Sequence, residues 1–283
     1  MRVEAWHAVV LGVVEGLTEF LPVSSTGHLT VVEQLLGLAV DDPGVTAFTA
    51  IVQLGAIVAV IVYFRRDIAR LAVALVRGLR HRRARRTQDF RLAVAVVVGS
   101  VPIGLVGFAA RDLVTGSLRS LWVVAAGLIG WSAVMVLAER RAATSTRRRS
   151  EGDIGLADAV WVGVLQCVAL VPGVSRSGAT ISAGLLRGLD RVTATRFAFF
   201  LSVPALTAAG LFEAASEGSA VAGTVGWGPT LLGTLVALVV AYASIAWLLR
   251  LVAHHRITVF VPYRLALGAA LVLALSTGAL RAA

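Results

Sequence analysis

Residues 12–28 read Gly12-Val13-Val14-Glu15-Gly16-Leu17-Thr18-Glu19-Phe20-Leu21-Pro22-Val23-Ser24-Ser25-Thr26-Gly27-His28. The first half predicts an apolar helix. Its two carboxylates, Glu15 and Glu19, stand four residues apart, on one face and one turn from each other. Pro22 stops that helix. Three hydroxyl residues, a glycine and a histidine follow, offering N–H and O–H donors to an anion that approaches the backbone. Acids in a greasy segment beside a donor-rich break mark function before packing.

The pattern returns halfway along the chain, where residues 163–179 read Gly163-Val164-Leu165-Gln166-Cys167-Val168-Ala169-Leu170-Val171-Pro172-Gly173-Val174-Ser175-Arg176-Ser177-Gly178-Ala179. With Gly12 set on Gly163, Glu15 falls on Gln166, Ser24 on Ser175, Ser25 on Arg176, Thr26 on Ser177 and Gly27 on Gly178. The chemistry is divided between the copies. The first supplies two acids and a histidine; the second supplies an arginine.

The 283 residues are 58% hydrophobic and 15% charged, with a mean hydropathy of +0.85. Soluble domains carry about a quarter charged residues, so this chain belongs in a bilayer. The single Cys167 excludes an internal disulfide. No cleavable leader is expected, since only Met1-Arg2 could serve as its charged region. The net charge of +10 does not mark a nucleic-acid binder. Every basic residue is an arginine, and the arginines fill the gaps between apolar runs, as they do when a membrane protein is oriented by charge.

Six runs are long enough to cross a bilayer, which takes about 20 residues: 45–63, 92–110, 121–138, 197–212, 231–249 and 259–280. Segments 4–37 and 156–188 hold the repeated motif, and each is broken near its middle. We read them as re-entrant helix-loop-helix hairpins, tolerated at depth only where protein or trapped water satisfies the broken backbone. Three spans separate them, so they enter from opposite faces. The expected fold is an all-α integral membrane domain over 1–283, an inverted-topology repeat with halves 1–138 and 139–283. This assignment puts 20 of the 26 arginines on one side, which is then cytoplasmic. Both termini, Asp41, Asp42, Asp112, Glu213 and Glu217 fall on the outer side. The arginine-rich stretch 65–91 reads as a cytoplasmic loop whose amphipathic turns touch anionic lipid. Arg264, close to a cytoplasmic helix end, reads as a snorkelling side chain.

The breaks bring Glu15, Glu19, His28 and Arg176 together. Charges at this depth persist only when paired or bound to a ligand. Arg176 suits a phosphate or diphosphate, gripped by its planar fork. Two carboxylates leave most of a Mg²⁺ shell to water and phosphate oxygens. Ser24, Ser25 or Thr26 can serve as nucleophile with His28 as general base or acid, and a water activated by His28 or a glutamate serves equally. Gly27 and Gly178 let the backbone approach the anion. Ser175, Ser177 and Thr180 either touch it or cap the half-helix. Gln53 reads as an interhelical hydrogen-bonding residue that can also reach the phosphate.

At these residues the chain resembles the undecaprenyl-diphosphate phosphatase family, also called bacitracin resistance proteins. The resemblance rests on 15–28, on 172–180, and on Gln53-Leu54-Gly55, Phe200-Leu201-Ser202-Val203-Pro204-Ala205 and Tyr263-Arg264. It implies a multi-pass enzyme of the bacterial plasma (inner) membrane that hydrolyses undecaprenyl diphosphate, recycles the lipid carrier for the cell wall and confers bacitracin resistance. It implies a divalent cation, Mg²⁺ or Ca²⁺, held by Glu15 and Glu19, and an active site that opens on the outer face. The family's functional positions fall on Glu15, Glu19, Ser25, His28 and Arg176, with the serine proposed as nucleophile. Thr49 stands where the family often has an acid, which removes a third carboxylate. The partners are the lipid diphosphate and bilayer lipids, with no nucleic acid; a homodimer is left open. The competing reading is a transporter or flippase of phosphorylated polyprenyl lipid, because inverted repeats with broken helices also build carriers.

Overall fold

Long stretches of Val, Leu, Ala and Ile without intervening charge leave the backbone no way to satisfy its polar groups in lipid except as helix, and helix is what forms. In the computed structural model, residues 3–40, 42–111, 113, 118, 120–145, 148–223 and 225–282 are described, without the side chains of 213–223. Asp41, Asp112 and Arg147 lie outside the described residues, as do the side chains of Glu213 and Glu217.

The helices are α1 (Ala5–Thr18), α2 (Ser25–Leu35), α3 (Pro43–Tyr63), α4 (Arg65–Arg80), α5 (Gln88–Ala109), α6 (Leu121–Thr144), α7 (Leu156–Gln166), α8 (Arg176–Leu186), α9 (Arg191–Gly223), α10 (Trp227–His254) and α11 (Val261–Ser276). Among the described residues the only β pairing is an isolated bridge between Arg149 and Leu189. Among the described residues six helices are long and apolar enough to cross a membrane: Pro43–Tyr63, Gln88–Ala109, Leu121–Thr144, Arg191–Phe212, Trp227–His254 and Ile257–Ser276. All six expected spans fall on them. Several ends run further, because arginine-bearing turns such as Arg140 and Arg141 continue the helix past the apolar window, while the last helix stops at Ser276, short of the expected 280.

The two motif segments form helix pairs, α1 with α2 and α7 with α8, too short to cross. Both pairs are built the same way. Ser24 and Ser175 each sit at φ 76° before the second helix, and each side chain accepts a hydrogen bond from the glycine amide three residues on, Gly27 or Gly178. A positive φ is strained for a serine. It is held by bonds between the two breaks: Gly173 N–H donates to Ser24 Oγ (3.1 Å), and Ser175 Oγ donates to the Leu21 carbonyl (3.3 Å).

Glycine pairs set the helix crossings alongside. A Cβ on Gly12 of α1 would lie 2.5 Å from the Gly233 carbonyl oxygen of α10, and one on Gly163 of α7 would lie 2.3 Å from that of Gly99 in α5. Only hydrogen fits, so these backbones meet as closely as membrane helices can. Gly12 and Gly163 are the residues that open the two copies of the motif.

The stretch read as a loop after α3 is a further helix. α4 is strongly amphipathic, with Leu71 and Gly78 buried against the rest of the fold. Phe64 alone separates it from α3.

Candidate active site

The first motif's helix ends earlier than expected: α1 stops at Thr18, four residues before Pro22, with Glu19 as its cap. Glu19 is the hub. Its Oε2 accepts from the Ser25 hydroxyl at 2.6 Å and from Gln53 Nε2 at 3.4 Å, and its Oε1 lies 3.3 Å from Arg176 NH1. One carboxylate thus joins both breaks to the middle of α3. Phe20, Ser177, Ala198, Phe199 and Ser202 wall a small cavity beside Glu19 and Arg176.

Glu15 lies one turn earlier on α1 and is completely buried, yet neither carboxylate oxygen has a hydrogen-bond partner. The charges that act on it are those of Glu19, Arg176 and Glu33. A buried carboxylate left bare is costly. Gln166, its counterpart in the second copy, is equally buried and equally bare at both amide atoms.

His28 does not meet Ser25. Its Nδ1 is bonded to the Ser24 carbonyl oxygen (2.7 Å) and its Nε2 to the Tyr263 hydroxyl (2.6 Å), and the two rings are stacked. The remaining candidates divide. Ser24 and Ser175 cap the half-helices. Ser177 lies 3.1 Å from Ser175 Oγ, and Thr180 donates to the Arg176 carbonyl at 2.8 Å. Gly27 and Gly178 are buried at the two helix starts, while Thr26 is exposed and off the Glu19 cluster.

Arg264 is the residue that sequence reasoning misplaced. It does not snorkel; it is fully buried. Its guanidinium donates to Pro22 O (2.8 Å) in the first break, to Gly173 O (2.9 Å) and Val174 O (3.2 Å) in the second, and to Gly127 O and Ser132 Oγ of α6. Carbonyls freed by the breaks are satisfied by one side chain that has only donors. The sequence carried one signal of this, a lone arginine inside an apolar run.

The family model described as Bacitracin resistance protein BacA matches residues 8–270. The chain belongs to this family.

Among its bacitracin resistance protein relatives, undecaprenyl-diphosphatase 3 of Frankia casuarinae is 53% identical over 272 residues, which is 96% of this chain and 97% of the relative. The undecaprenyl-diphosphatase of Acidothermus cellulolyticus is 55% identical, covering 97% and 98% of the two chains, and that of Cutibacterium acnes is 51% identical, covering 93% and 94%.

This family member offers a divalent cation a limited but suitable donor set. No group of three or more His, Cys, Asp or Glu side chains is gathered to hold a metal among the described residues. Glu15 nevertheless presents two bare oxygens in a buried site, beside Glu19. One or two carboxylates, completed by water and phosphate oxygens, is the pattern Mg²⁺ commonly takes. The residues fit.

Proposed function

We propose that this chain hydrolyses undecaprenyl diphosphate to undecaprenyl phosphate and inorganic phosphate. The observation that carries the reading is the 2.6 Å bond from the Ser25 hydroxyl to Glu19, with Arg176 3.3 Å from the same carboxylate. A hydroxyl already donating to a buried base is a nucleophile in waiting, and an arginine beside it supplies a fork for the diphosphate.

In this mechanism Arg176 turns from Glu19 to the terminal phosphate when the substrate arrives. The Ser25 oxygen attacks the terminal phosphorus as its proton passes to Glu19. The anhydride bond breaks, and undecaprenyl phosphate leaves. Glu19 gives its proton up to the departing phosphate or to solvent. It then takes a proton from the water that attacks the phosphoserine, and Ser25 regains its own as phosphate departs. Glu15, beside Glu19, would hold a divalent cation, Mg²⁺ or Ca²⁺, which when bound would supply charge neutralisation for the diphosphate oxygens. Tyr263 and the Ser24 carbonyl hold the His28 ring at the rim, where it orients the substrate or a proton-carrying water.

The halves 1–138 and 139–283 act as inverted repeats that deliver one break each. The arginine-rich side faces the cytoplasm, and the site opens on the outer face of the bacterial plasma membrane, where spent lipid carrier is released. Recycling that carrier serves cell-wall synthesis, and its overproduction counters bacitracin.

Purified protein in detergent with Mg²⁺ is expected to release phosphate from a C55 diphosphate. EDTA, Glu19→Gln and Arg176→Ala should each abolish the release. Full turnover in Arg176→Ala removes the phosphate clamp, and full turnover after chelation removes the cation.

A further inference from the structure

Helix α4 has two apolar faces, and the fold uses one. Ile68, Leu71, Leu75 and Gly78, at helical spacing, turn inward. Leu71 joins the main core with Ile68 and Leu75 against it, and Gly78 lies so close to Phe90 of α5 that a Cβ there would meet the ring. A second stripe, Ala69, Ala72, Val73, Val76 and Leu79, lies beside the first and is left bare. Val73 is 48%, Val76 47% and Leu79 68% exposed.

Arginines edge this bare stripe. Arg66 and Arg77 flank it on α4, Arg80 ends it, and the 3-10 turn Arg82–Arg86 folds back over its end through a 2.8 Å bond from Arg85 to the Gly78 carbonyl. Among the described residues Arg66, Arg77, Arg80, Arg82, Arg83 and Arg86 pair with no carboxylate. The acids within reach are already taken: Asp67 and Asp89 pair with Arg70, and Asp67 also with Arg196.

The position of the helix selects its partner. Phe64 is the only residue between α3 and α4, and Thr87 the only one between the 3-10 turn and α5. α4 is therefore tethered at both ends to the same ends of two membrane spans, at the level of the bilayer surface. An apolar stripe edged by cations at that level matches acyl chains below and phosphates beside them. We propose that α4 and the turn Arg82–Arg86 dock anionic phospholipid headgroups of the adjoining leaflet, with Val73, Val76 and Leu79 set into its acyl region.

The surface is connected to the site. Arg70 of α4 binds Glu151, and Arg196 of α9 binds both Asp67 and Glu151. The Arg196 guanidinium stands over the rings of Phe64 and Phe200. Phe64 packs on Phe199, and Phe199 packs edge-on to Phe20, the neighbour of Glu19. Lipid that holds α4 in place thus holds the outer end of a packed column that ends at the hub carboxylate.

The test is amide hydrogen exchange on the full-length protein in nanodiscs of phosphatidylcholine alone or with phosphatidylglycerol. Exchange across 65–86 is expected to slow several-fold with phosphatidylglycerol, and 0.5 M salt should narrow the difference, since the attraction between the arginines and the anionic surface is screened. The variant Arg66→Gln/Arg77→Gln/Arg80→Gln/Arg83→Gln should lose the difference while α1 and α8 exchange as before. Equal exchange in both lipids, or a difference that survives in the variant, overturns the proposal. A bimane on Val76→Cys, in a Cys167→Ser background, should be quenched by brominated acyl chains; no quenching would place the stripe out of the bilayer and sink it as well. None of these readouts depends on phosphate release, so the docking surface stands or falls apart from the hydrolase reading.

Discussion

The Ser25 hydroxyl donates to Oε2 of Glu19 at 2.6 Å, while His28, three residues along the same helix, is bonded to Tyr263 instead. This relationship is why Glu19, and not His28, is proposed as the base for the serine. Ser25→Ala and Glu19→Gln should each lower kcat by at least about 10²-fold, and the double variant should be little worse than either, because the two act as one unit. His28→Gln should cost less. Steady-state phosphate release settles the order; a His28→Gln enzyme as dead as Glu19→Gln would move the base to the histidine.

Arg264 makes its case through stability. Each carbonyl left without a donor in a buried break costs about 1–3 kcal/mol, and Arg264 serves Pro22, Gly173, Val174 and Gly127. Arg264→Met should lower the melting temperature in detergent sharply. Arg264→Lys should recover part of it, since an ammonium keeps the charge without the fork. A melting temperature unchanged in Arg264→Met would mean water can take over the breaks.

Two glycines separate contact from propensity. A Cβ on Gly55 would lie 2.1 Å from the Thr234 carbonyl oxygen, whereas one on Gly130 meets nothing within 4 Å. Gly55→Ala should force α3 and α10 apart, costing about 1–3 kcal/mol or more. Gly130→Ala should stabilise by about 0.5–1 kcal/mol through helix propensity. Thermal denaturation of the two variants side by side provides the check.

Asp158, in the first turn of α7 and outside the spanning helices, receives Arg149 and Arg187. Burial alone would raise its pKa, but the hydrogen bonds from Arg149, the Gly155 amide and Arg187 outweigh it and bring the carboxyl down to about 2. The unfolded carboxyl titrates at about 3.9. The stabilisation is therefore complete above about pH 4 and fades as pH falls towards 2. Melting curves should be flat from neutral pH to about 4 and then drop. Asp158→Asn should be less stable at neutral pH and lack that drop.

Much of this was legible in the sequence. Hydropathy located six spans, because in lipid the backbone has few alternatives to helix. The duplicated motif located the two breaks, and the acids and arginine that meet there. What stayed hidden depends on depth and direction. Arg264 looks like a snorkelling residue because linear distance to a helix end does not report which way the side chain points. His28 reads as a general base or acid for Ser24, Ser25, Thr26 or a water because it follows them so closely, yet Tyr263, far away in sequence, claims its ring. α4 reads as loop because its arginines mask an apolar pattern that is amphipathic at helical period. Asp158 gave no signal at all, since its partners come from both sides of the second hairpin.

A carrier must let one half of its structure swing clear of the other. Here a single guanidinium, sealed from solvent, grips main-chain oxygens from both interruptions at once. The centre of the molecule is riveted. Swinging the two interruptions apart would first have to break that grip, so the tie favours a head group worked on in place over one carried across.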